Sequence, residues 1–207
     1  MRLHSRTAAG GWRHAWGQGD FPFYVVQLPG FGAVSEDAVD SAWAEMREAQ
    51  TAALDLSNTG LICTIDLGEP GNVHPRNKSE VEVRLLRIAL ANTYGLDVDY
   101  SGPNFLSAAV EGNRIRVRFS DTGTGLAARD GGPLRGFSLA GEDRVFHKAI
   151  ARIDGETVGV ESEEVPNPVA VRYAWASTPV CNLVGASGLP AWPFRSDTWP
   201  GITTQAR

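Results

Sequence analysis

The segment Thr64-Ile-Asp-Leu-Gly-Glu-Pro-Gly-Asn-Val-His-Pro-Arg-Asn-Lys78 decides how the first half of this chain folds. It continues an apolar run, Leu61–Ile65, which predicts a buried strand, and its Gly, Pro and Asn residues predict a loop after that strand. His74 therefore lies on a loop that leaves the carboxyl end of a strand, close to the carboxylates of Asp66 and Glu69. A histidine in such a place is typical of a general base.

One strand and one helix precede this segment. Residues 21–28, Phe-Pro-Phe-Tyr-Val-Val-Gln-Leu, are aromatic and β-branched and predict a buried strand. The sequence Ser35-Glu-Asp predicts a helix start, with a hydroxyl to cap and two carboxylates in the first turn. Apolar and long side chains then recur every three or four residues, which predicts one face packed on a sheet. These residues are Val39, Trp43, Met46, Gln50 and Ala53.

A second helix follows the histidine loop. Asn77 can cap it, and Gly95 can end it. Residues 21–95 therefore form a β-α-β-loop-α unit, and a right-handed crossover makes its two strands parallel. One face of the second helix would carry Val81, Leu85 and Ile88.

The pattern changes after about Tyr100, where strand-like runs alternate with turn signals. Gly112-Asn113 and Asp154-Gly155 each separate two such runs and predict β-hairpins. The sequence thus predicts an α/β unit over residues 1–98 and an antiparallel β-rich domain over residues 99–207, with a Pro/Trp-rich tail from Leu189. The predicted strands are Leu106–Val110, Ile115–Phe119, Val145–Ile153, Thr157–Val160, Val169–Trp175 and Asn182–Val184.

Composition excludes several classes of protein. A hydrophobic share of 43% predicts a packed core, and a net charge of −5 disfavours nucleic acid as a partner. No apolar stretch is long enough to cross a bilayer, and the first residues lack the apolar centre of an export signal. Cys63 and Cys181 have no zinc-type spacing, so we expect no metal and no cofactor. A buried free thiol is the default for Cys63, and a disulfide with Cys181 stays open.

Nine pieces of the chain, in one order from Trp12 onwards, resemble the carboxyl-terminal part of a sialate O-acetylesterase of the SGNH (GDSL-like) hydrolase superfamily. The pieces are Trp12-Arg13, Trp16-Gly-Gln-Gly-Asp-Phe-Pro-Phe23, Val26-Gln-Leu28, Trp43-Ala-Glu-Met-Arg-Glu-Ala-Gln50, Thr64-Ile-Asp-Leu-Gly68, His74-Pro-Arg-Asn-Lys78, Gly136-Phe-Ser-Leu-Ala-Gly141, Ala170-Val-Arg-Tyr-Ala-Trp175 and Gly188-Leu-Pro-Ala-Trp-Pro-Phe-Arg-Ser-Asp197.

The resemblance implies a serine esterase that acts on small acyl esters or O-acetylated sugars. Its fold would be a partial SGNH-type parallel sheet with helices, followed by the antiparallel β-rich domain. His74 would be the general base, oriented by Asp66 or, second in rank, Glu69; Asn72 and the backbone are further candidates for holding the ring. Members of the family are often periplasmic or secreted, and the location of this chain stays open.

Two departures from the family pattern bear on catalysis. The nucleophilic serine block of the superfamily has no counterpart here, since Gly17-Gln-Gly19 carries glycine in place of serine. The position three residues before the histidine, usually Asp, is Gly71. Ser138 and Ser187 lie in weak nucleophile-like contexts and are expected to be structural. The chain is therefore expected to be a truncated form with little activity unless it recruits a serine.

For substrate binding the candidates are Gln27, Arg47 and Arg76, and Arg47 could grip a sugar carboxylate with its forked guanidinium. An arginine in contact with solvent is the plainer interpretation of Arg47. The alternative to an esterase is a non-catalytic fragment that binds carbohydrate or packs on another subunit. In either case an incomplete sheet would leave an apolar edge bare, so we expect a homo-oligomer.

Overall fold

The first half of the chain is built around one parallel strand pair. The computed structural model describes residues 2–204, with side chains from residue 8. Strands β1 and β3 pair in parallel, with Phe23 opposite Thr59 and Val26 opposite Ile62, which confirms the predicted crossover unit. The elements are α1 (Arg2–Trp16), β1 (Phe23–Val26), β2 (Val34–Ser35), α2 (Ala42–Gln50), a 3-10 turn (Thr51–Asp55), β3 (Thr59–Ile62) and α3 (Lys78–Asn92).

The second half consists mainly of antiparallel sheets, as predicted, and the one described pair that it shares with the first half is parallel. One sheet has the strand order β4-β5-β10-β9 and another the order β14-β11-β7-β8, while β6 pairs with β13 and β12 pairs with β2 of the first half. The strands are β4 (Asn104–Glu111), β5 (Arg114–Ser120), β6 (Leu126–Ala128), β7 (Phe137–Ala140), β8 (Phe146–Lys148), β9 (Ile150–Asp154), β10 (Thr157–Glu161), β11 (Ala170–Tyr173), β12 (Thr178–Pro179), β13 (Leu183–Gly185) and β14 (Phe194–Arg195).

Both predicted hairpins are confirmed. Strands β4 and β5 pair across Gly112-Asn113, and β9 pairs with β10 across the turn that contains Gly155. The predicted strand Val145–Ile153 needs correction, because it is two strands, β8 and β9, that belong to different sheets. Ala149, between them, is 8% exposed, so the chain changes sheets at a buried residue.

The predicted start of α2 at Ser35 is wrong. The helix begins at Ala42, and Ser41 caps it by accepting the Ala44 N–H. Ser35 instead belongs to β2, whose partner β12 comes more than 140 residues later, and its hydroxyl accepts the Asp37 N–H in a local turn. The buried face of α2 also differs from the predicted stripe. It comprises Ala44, Glu45, Arg47 and Ala49, while Trp43 and Met46 are only half-buried.

Helix α3 agrees with its predicted signals. The Asn77 side chain accepts the Glu80 N–H at the start, and Gly95 adopts a φ of 68° just past the end. Such a left-handed residue allows the closing turn of a helix, here from the Leu96 N–H to the Leu90 carbonyl. Ile88 is the fully buried apolar residue of the helix, at 1% exposure.

A large apolar cluster joins the two halves. It contains Leu61, Cys63 and Ile65 from the first half together with Val171, Phe194 and other residues of the second. The two cysteines are free thiols, and burial raises the pKa of Cys63 to about 12, so this thiol stays protonated. Within residues 2–204, no helix has the length and apolar character needed to cross a membrane. The domain limits at residues 98 and 99 stay a prediction.

Candidate active site

The histidine loop is docked against the segment that follows β1. A β-carbon on Gly68 would lie 2.2 Å from the Gly30 carbonyl oxygen and 2.5 Å from its Cα. The Gly32 N–H also donates to the Pro70 carbonyl at 2.9 Å. The loop after β3 therefore rests directly on backbone, which fixes its course before it reaches His74.

This close approach predicts that Gly68→Ala destabilises the protein by about 1–3 kcal/mol, because backbone rather than a flexible side chain must move. Gly71→Ala is the matched control, since Gly71 lies in the same loop and a β-carbon there would meet no heavy atom within 4 Å. Thermal unfolding of both variants measures the difference. Equal melting temperatures for the two variants would contradict tight docking of the loop.

His74 presents its side chain to solvent. The residue is exposed, whereas the following Pro75 is buried and anchors the loop. The His74 backbone N–H donates to the Asn72 side-chain oxygen at 2.9 Å. Asn72 thus shapes the backbone, and no hydrogen bond to the imidazole is found in the part of the chain that the structure describes. The ring is free to contact a solvent-borne molecule.

Asp66 is held by two arginines. Arg84 forms a bidentate pair with it, at 2.7 Å from Nη1 to Oδ1 and 2.8 Å from Nη2 to Oδ2, and Arg129 adds a third contact to Oδ2. Arg84 also donates to the Cys63 carbonyl at 2.6 Å. Burial alone would raise the pKa of Asp66, but the bonds and charges of the two arginines outweigh it and lower the pKa below its ordinary value.

This network joins three separate parts of the fold at the base of the histidine loop. Arg84 comes from α3, and Arg129, which follows β6, also donates to the Gly188 carbonyl at 3.2 Å. The side chains of Asp66 and Arg84 are 9% and 3% exposed. In this arrangement both Asp66 oxygens contact guanidinium groups, and the carboxylate makes no bond to His74 among the described residues. Its part in orienting the imidazole stays a prediction.

The sequence prediction missed both arginines. Arg84 lies between Val81 and Ile88 on the buried face of α3, so a charged residue within an apolar stripe was the available signal. Arg129 had no comparable signal, because only the tertiary fold brings the residue after β6 to the end of β3.

Glu69 and Arg76 close the histidine loop on itself. Glu69 Oε1 accepts the Arg76 backbone N–H at 2.7 Å, and Arg76 Nε lies 3.4 Å from Glu69 Oε2. The Asn72 N–H donates to the Glu69 carbonyl at 2.9 Å, which makes a tight turn over Pro70 and Gly71. The Arg76 side chain is 86% exposed and is accessible to a ligand beside His74.

Gln27 and Arg47 lie inside the protein. Gln27 is 1% exposed and donates from Nε2 to the Arg47 carbonyl at 3.3 Å. Arg47 is 0% exposed and donates to the carbonyls of Pro29, Ala176 and Ser177, and burial lowers its pKa to about 10. These bonds tie α2 to both halves of the chain. Neither side chain reaches the surface in this arrangement, and the role of both residues in substrate binding stays a prediction.

The two serines with nucleophile-like contexts differ in exposure. Ser138 is 0% exposed and accepts the Ala38 N–H at 2.8 Å, which suits a structural residue. Ser187 is half-buried in the turn after β13. Among the described residues there is no group of three His, Cys, Asp or Glu side chains placed to hold a metal ion.

The chain is similar in structure to a carbohydrate acetylesterase. The matching protein is described as a novel carbohydrate acetylesterase from Xanthomonas citri, and its crystal structure superposes with a TM-score of 0.86 at 40% sequence identity. The match covers 96% of this chain and 46% of the other, so this chain spans just under half the length of that relative. No protein-family model matches the chain, and no curated protein matches it.

The comparison confirms the predicted fold class. Nearly the whole chain shares the architecture of that esterase, a mixed α/β fold with small parallel sheets and antiparallel β-rich sheets.

Proposed function

We propose that this chain is an esterase of the carbohydrate O-acetylesterase type, in which His74 is the general base. The observation that carries the proposal is the exposed imidazole on a firmly docked loop at the carboxyl end of β3. It is supported by the 40% identity to a carbohydrate acetylesterase over 96% of the chain. The proposed substrate is a small acyl ester or an O-acetylated sugar, and the sialate preference stays a prediction.

The chemistry would follow the serine-esterase scheme. His74 takes the proton of a serine hydroxyl as its oxygen attacks the ester carbonyl, and then returns that proton to the departing sugar alkoxide. A water molecule, deprotonated by the same imidazole, then releases acetate from the serine. The scheme requires a nucleophile and oxyanion donors about 3 Å from the carbonyl, and we assign neither to a residue of this chain.

Asp66 and Glu69 stay the candidates for orienting the imidazole. Each carboxylate is engaged with arginine, Asp66 with Arg84 and Arg129 and Glu69 with Arg76. Each carboxylate oxygen can accept more than one hydrogen bond, so the arginine contacts restrict these side chains without excluding a bond from the ring N–H. Asp66 is restricted by three contacts from two arginines, and Glu69 by one exposed arginine.

Labelling with a serine-directed fluorophosphonate tests the proposal against the non-catalytic alternative. We expect one serine to be labelled, more slowly in His74→Ala than in wild type, because the imidazole activates the hydroxyl. Peptide mass spectrometry would identify that serine. Absence of labelling together with absence of ester turnover would instead support a fragment that binds carbohydrate or packs on another subunit.

We also propose that the chain forms a homo-oligomer through the outer edge of β1. Within residues 2–204, β1 pairs only with β3, and Val26 on it is 40% exposed. A free, apolar strand edge is a template for pairing with another chain. Exposed apolar side chains also occur on α1 and α3, including Trp12, Trp16, Val83 and Leu86.

Sedimentation velocity over a wide concentration range tests this proposal. We expect wild type to self-associate and Val26→Lys to shift the equilibrium toward monomer, because a charge on an edge strand opposes pairing. Val145→Lys is the control, since Val145 is 51% exposed but lies outside the strands. A wild-type protein that stays monomeric at high concentration would contradict the proposal.

A further inference from the structure

A cleft lies beside β3, and its lining contains no residue of the histidine loop. Its volume is about 500 Å³, within the range of small-molecule sites. Its walls come from the 3-10 turn before β3, from β3 itself, from the end of α3 and from the β-rich half. It therefore opens at the junction of the two halves.

The cleft is well separated from His74. Ile88 and Asn92, near the last turn of α3, line it, whereas His74 precedes the first residue of that helix, Lys78. A helix rises about 1.5 Å per residue, so Ile88 and Asn92 lie about 15 and 21 Å beyond Lys78 along α3. A ligand in the cleft is not the group that His74 would deacylate.

One wall of the cleft is the side of β3 that faces away from β1. Among the described residues β3 pairs only with β1, and Thr59 and Leu61 line the cleft on its other side. The carbonyls of Asn58 and Ile62 point toward β1, since they accept the N–H groups of Phe23 and Gln27 respectively. Because peptide groups alternate in direction along a strand, those of Thr59 and Leu61 point away from β1, but Leu61 is only 4% exposed, so the side chains of the other walls offer the accessible polar groups.

The other walls combine aromatic rings with uncharged polar groups and carboxylates. Trp192 is 8% exposed and fixed by its indole N–H, which donates to Ser101 Oγ at 3.0 Å, while Tyr100 is 39% exposed at the rim. Asn92, Asn104 and Asp121 add exposed polar side chains, and none of the described residues that line the cleft is Lys, Arg or His. A ring with apolar faces and many hydroxyls fits such walls, and an anionic sugar does not.

We propose that this cleft is a binding site for a neutral oligosaccharide, separate from ester hydrolysis at His74. The face of a sugar ring would pack on Tyr100, which is 39% exposed, and its hydroxyls would bond to the exposed side chains of Asn92, Asn104 and Asp121. Because the described lining residues include carboxylates and no cationic side chain, we expect discrimination against sugars that carry a carboxylate. The site would hold a polysaccharide near the esterase centre.

Isothermal titration with cellohexaose, xylohexaose and 3′-sialyllactose tests the proposal on the whole chain. We expect one or both neutral hexasaccharides to bind at millimolar or lower concentration, and sialyllactose to bind at least about 10-fold more weakly. Failure of both hexasaccharides to bind, or equal binding of sialyllactose, would overturn the proposal.

Two tyrosine variants locate the site. Tyr100→Ala should weaken hexasaccharide binding by about 5-fold or more through loss of ring packing. Tyr94→Ala is the matched control, because Tyr94 is 71% exposed on the same connection and does not line the cleft. Equal affinities for the two variants would place binding elsewhere and overturn the proposal.

The two sites share no residue, so their failures can be told apart. His74→Ala should retain hexasaccharide binding, and Tyr100→Ala should retain turnover of p-nitrophenyl acetate, a substrate too small to reach the cleft from the esterase centre. Loss of both properties in either variant would contradict their separation.

Discussion

Replacing His74 with alanine is expected to lower turnover of p-nitrophenyl acetate by about 10²–10⁴-fold, the usual contribution of general acid–base catalysis. The residue is exposed, and its imidazole forms no hydrogen bond or ion pair with another described side chain, so its removal leaves no buried group without a partner. The fold and melting temperature should therefore stay close to those of wild type. A loss of rate without a loss of stability is the signature of a catalytic role.

The control for this variant is another histidine. His147 lies on β8, and its Nδ1 is 2.9 Å from Glu164, far from the loop in sequence and in another sheet. His147→Ala should keep the wild-type rate. Equal rates for wild type and His74→Ala would exclude His74 as the base, and equal losses in both variants would indicate non-specific catalysis by surface imidazoles.

Much of the fold was predictable because its signals are local. The Asn77 cap, the Gly95 stop and the Gly112-Asn113 turn each act within a few residues, and each is found as predicted. The parallel pairing of β1 and β3 followed from the handedness of one short crossover. In these places local preference and tertiary packing agree.

The errors arise where a distant partner decides the local structure. Ser35 has the side chain of a helix cap, but pairing of β2 with β12, near Thr178, holds it in a strand. Ala149 interrupts a continuous strand pattern because β8 and β9 pair with different sheets. The sequence pattern indicates local conformation, but it does not indicate which distant strand will pair with a segment.

The same limit applies to the candidate site. The exposed loop position of His74 follows from its neighbours in sequence, since Pro, Gly and Asn residues surround it. The partners of Asp66 do not follow from its neighbours in sequence, because Arg129 is 63 residues away. The role of Asp66 in orienting His74 stays a prediction, and the sequence did not predict the two guanidinium groups that contact this carboxylate.

Asp66→Asn is expected to destabilise the protein by about 3–5 kcal/mol, the usual cost of removing one partner from a buried ion pair. The Arg84 side chain is 3% exposed and would keep its charge after losing the bidentate carboxylate. At about 2–4 °C per kcal/mol for a chain of this size, the melting temperature should fall by roughly 6–20 °C. Asp154→Asn is the control, because Asp154 pairs with Arg116 at 2.7 Å but is 71% exposed, and it should change the melting temperature little.

The effect should depend on pH in a defined direction. The folded pKa of Asp66 is lowered, so its contribution to stability is fully present above the pKa of the unfolded carboxyl, about 3.9. As the pH falls below about 4, the unfolded state binds the proton first and the contribution is lost. The difference in melting temperature between wild type and Asp66→Asn should therefore narrow below pH 4. A difference that stays constant there would contradict the ion-pair explanation.

The same variant separates structure from catalysis at the histidine loop. Measured well below its melting temperature, Asp66→Asn keeps the shape of the side chain but cannot stabilise an imidazolium. If Asp66 only anchors the loop through Arg84 and Arg129, turnover should stay within a few-fold of wild type while the melting temperature falls. If turnover falls nearly as far as in His74→Ala, Asp66 also orients the imidazole. Glu69→Gln, measured beside it, then decides which of the two carboxylates holds the ring.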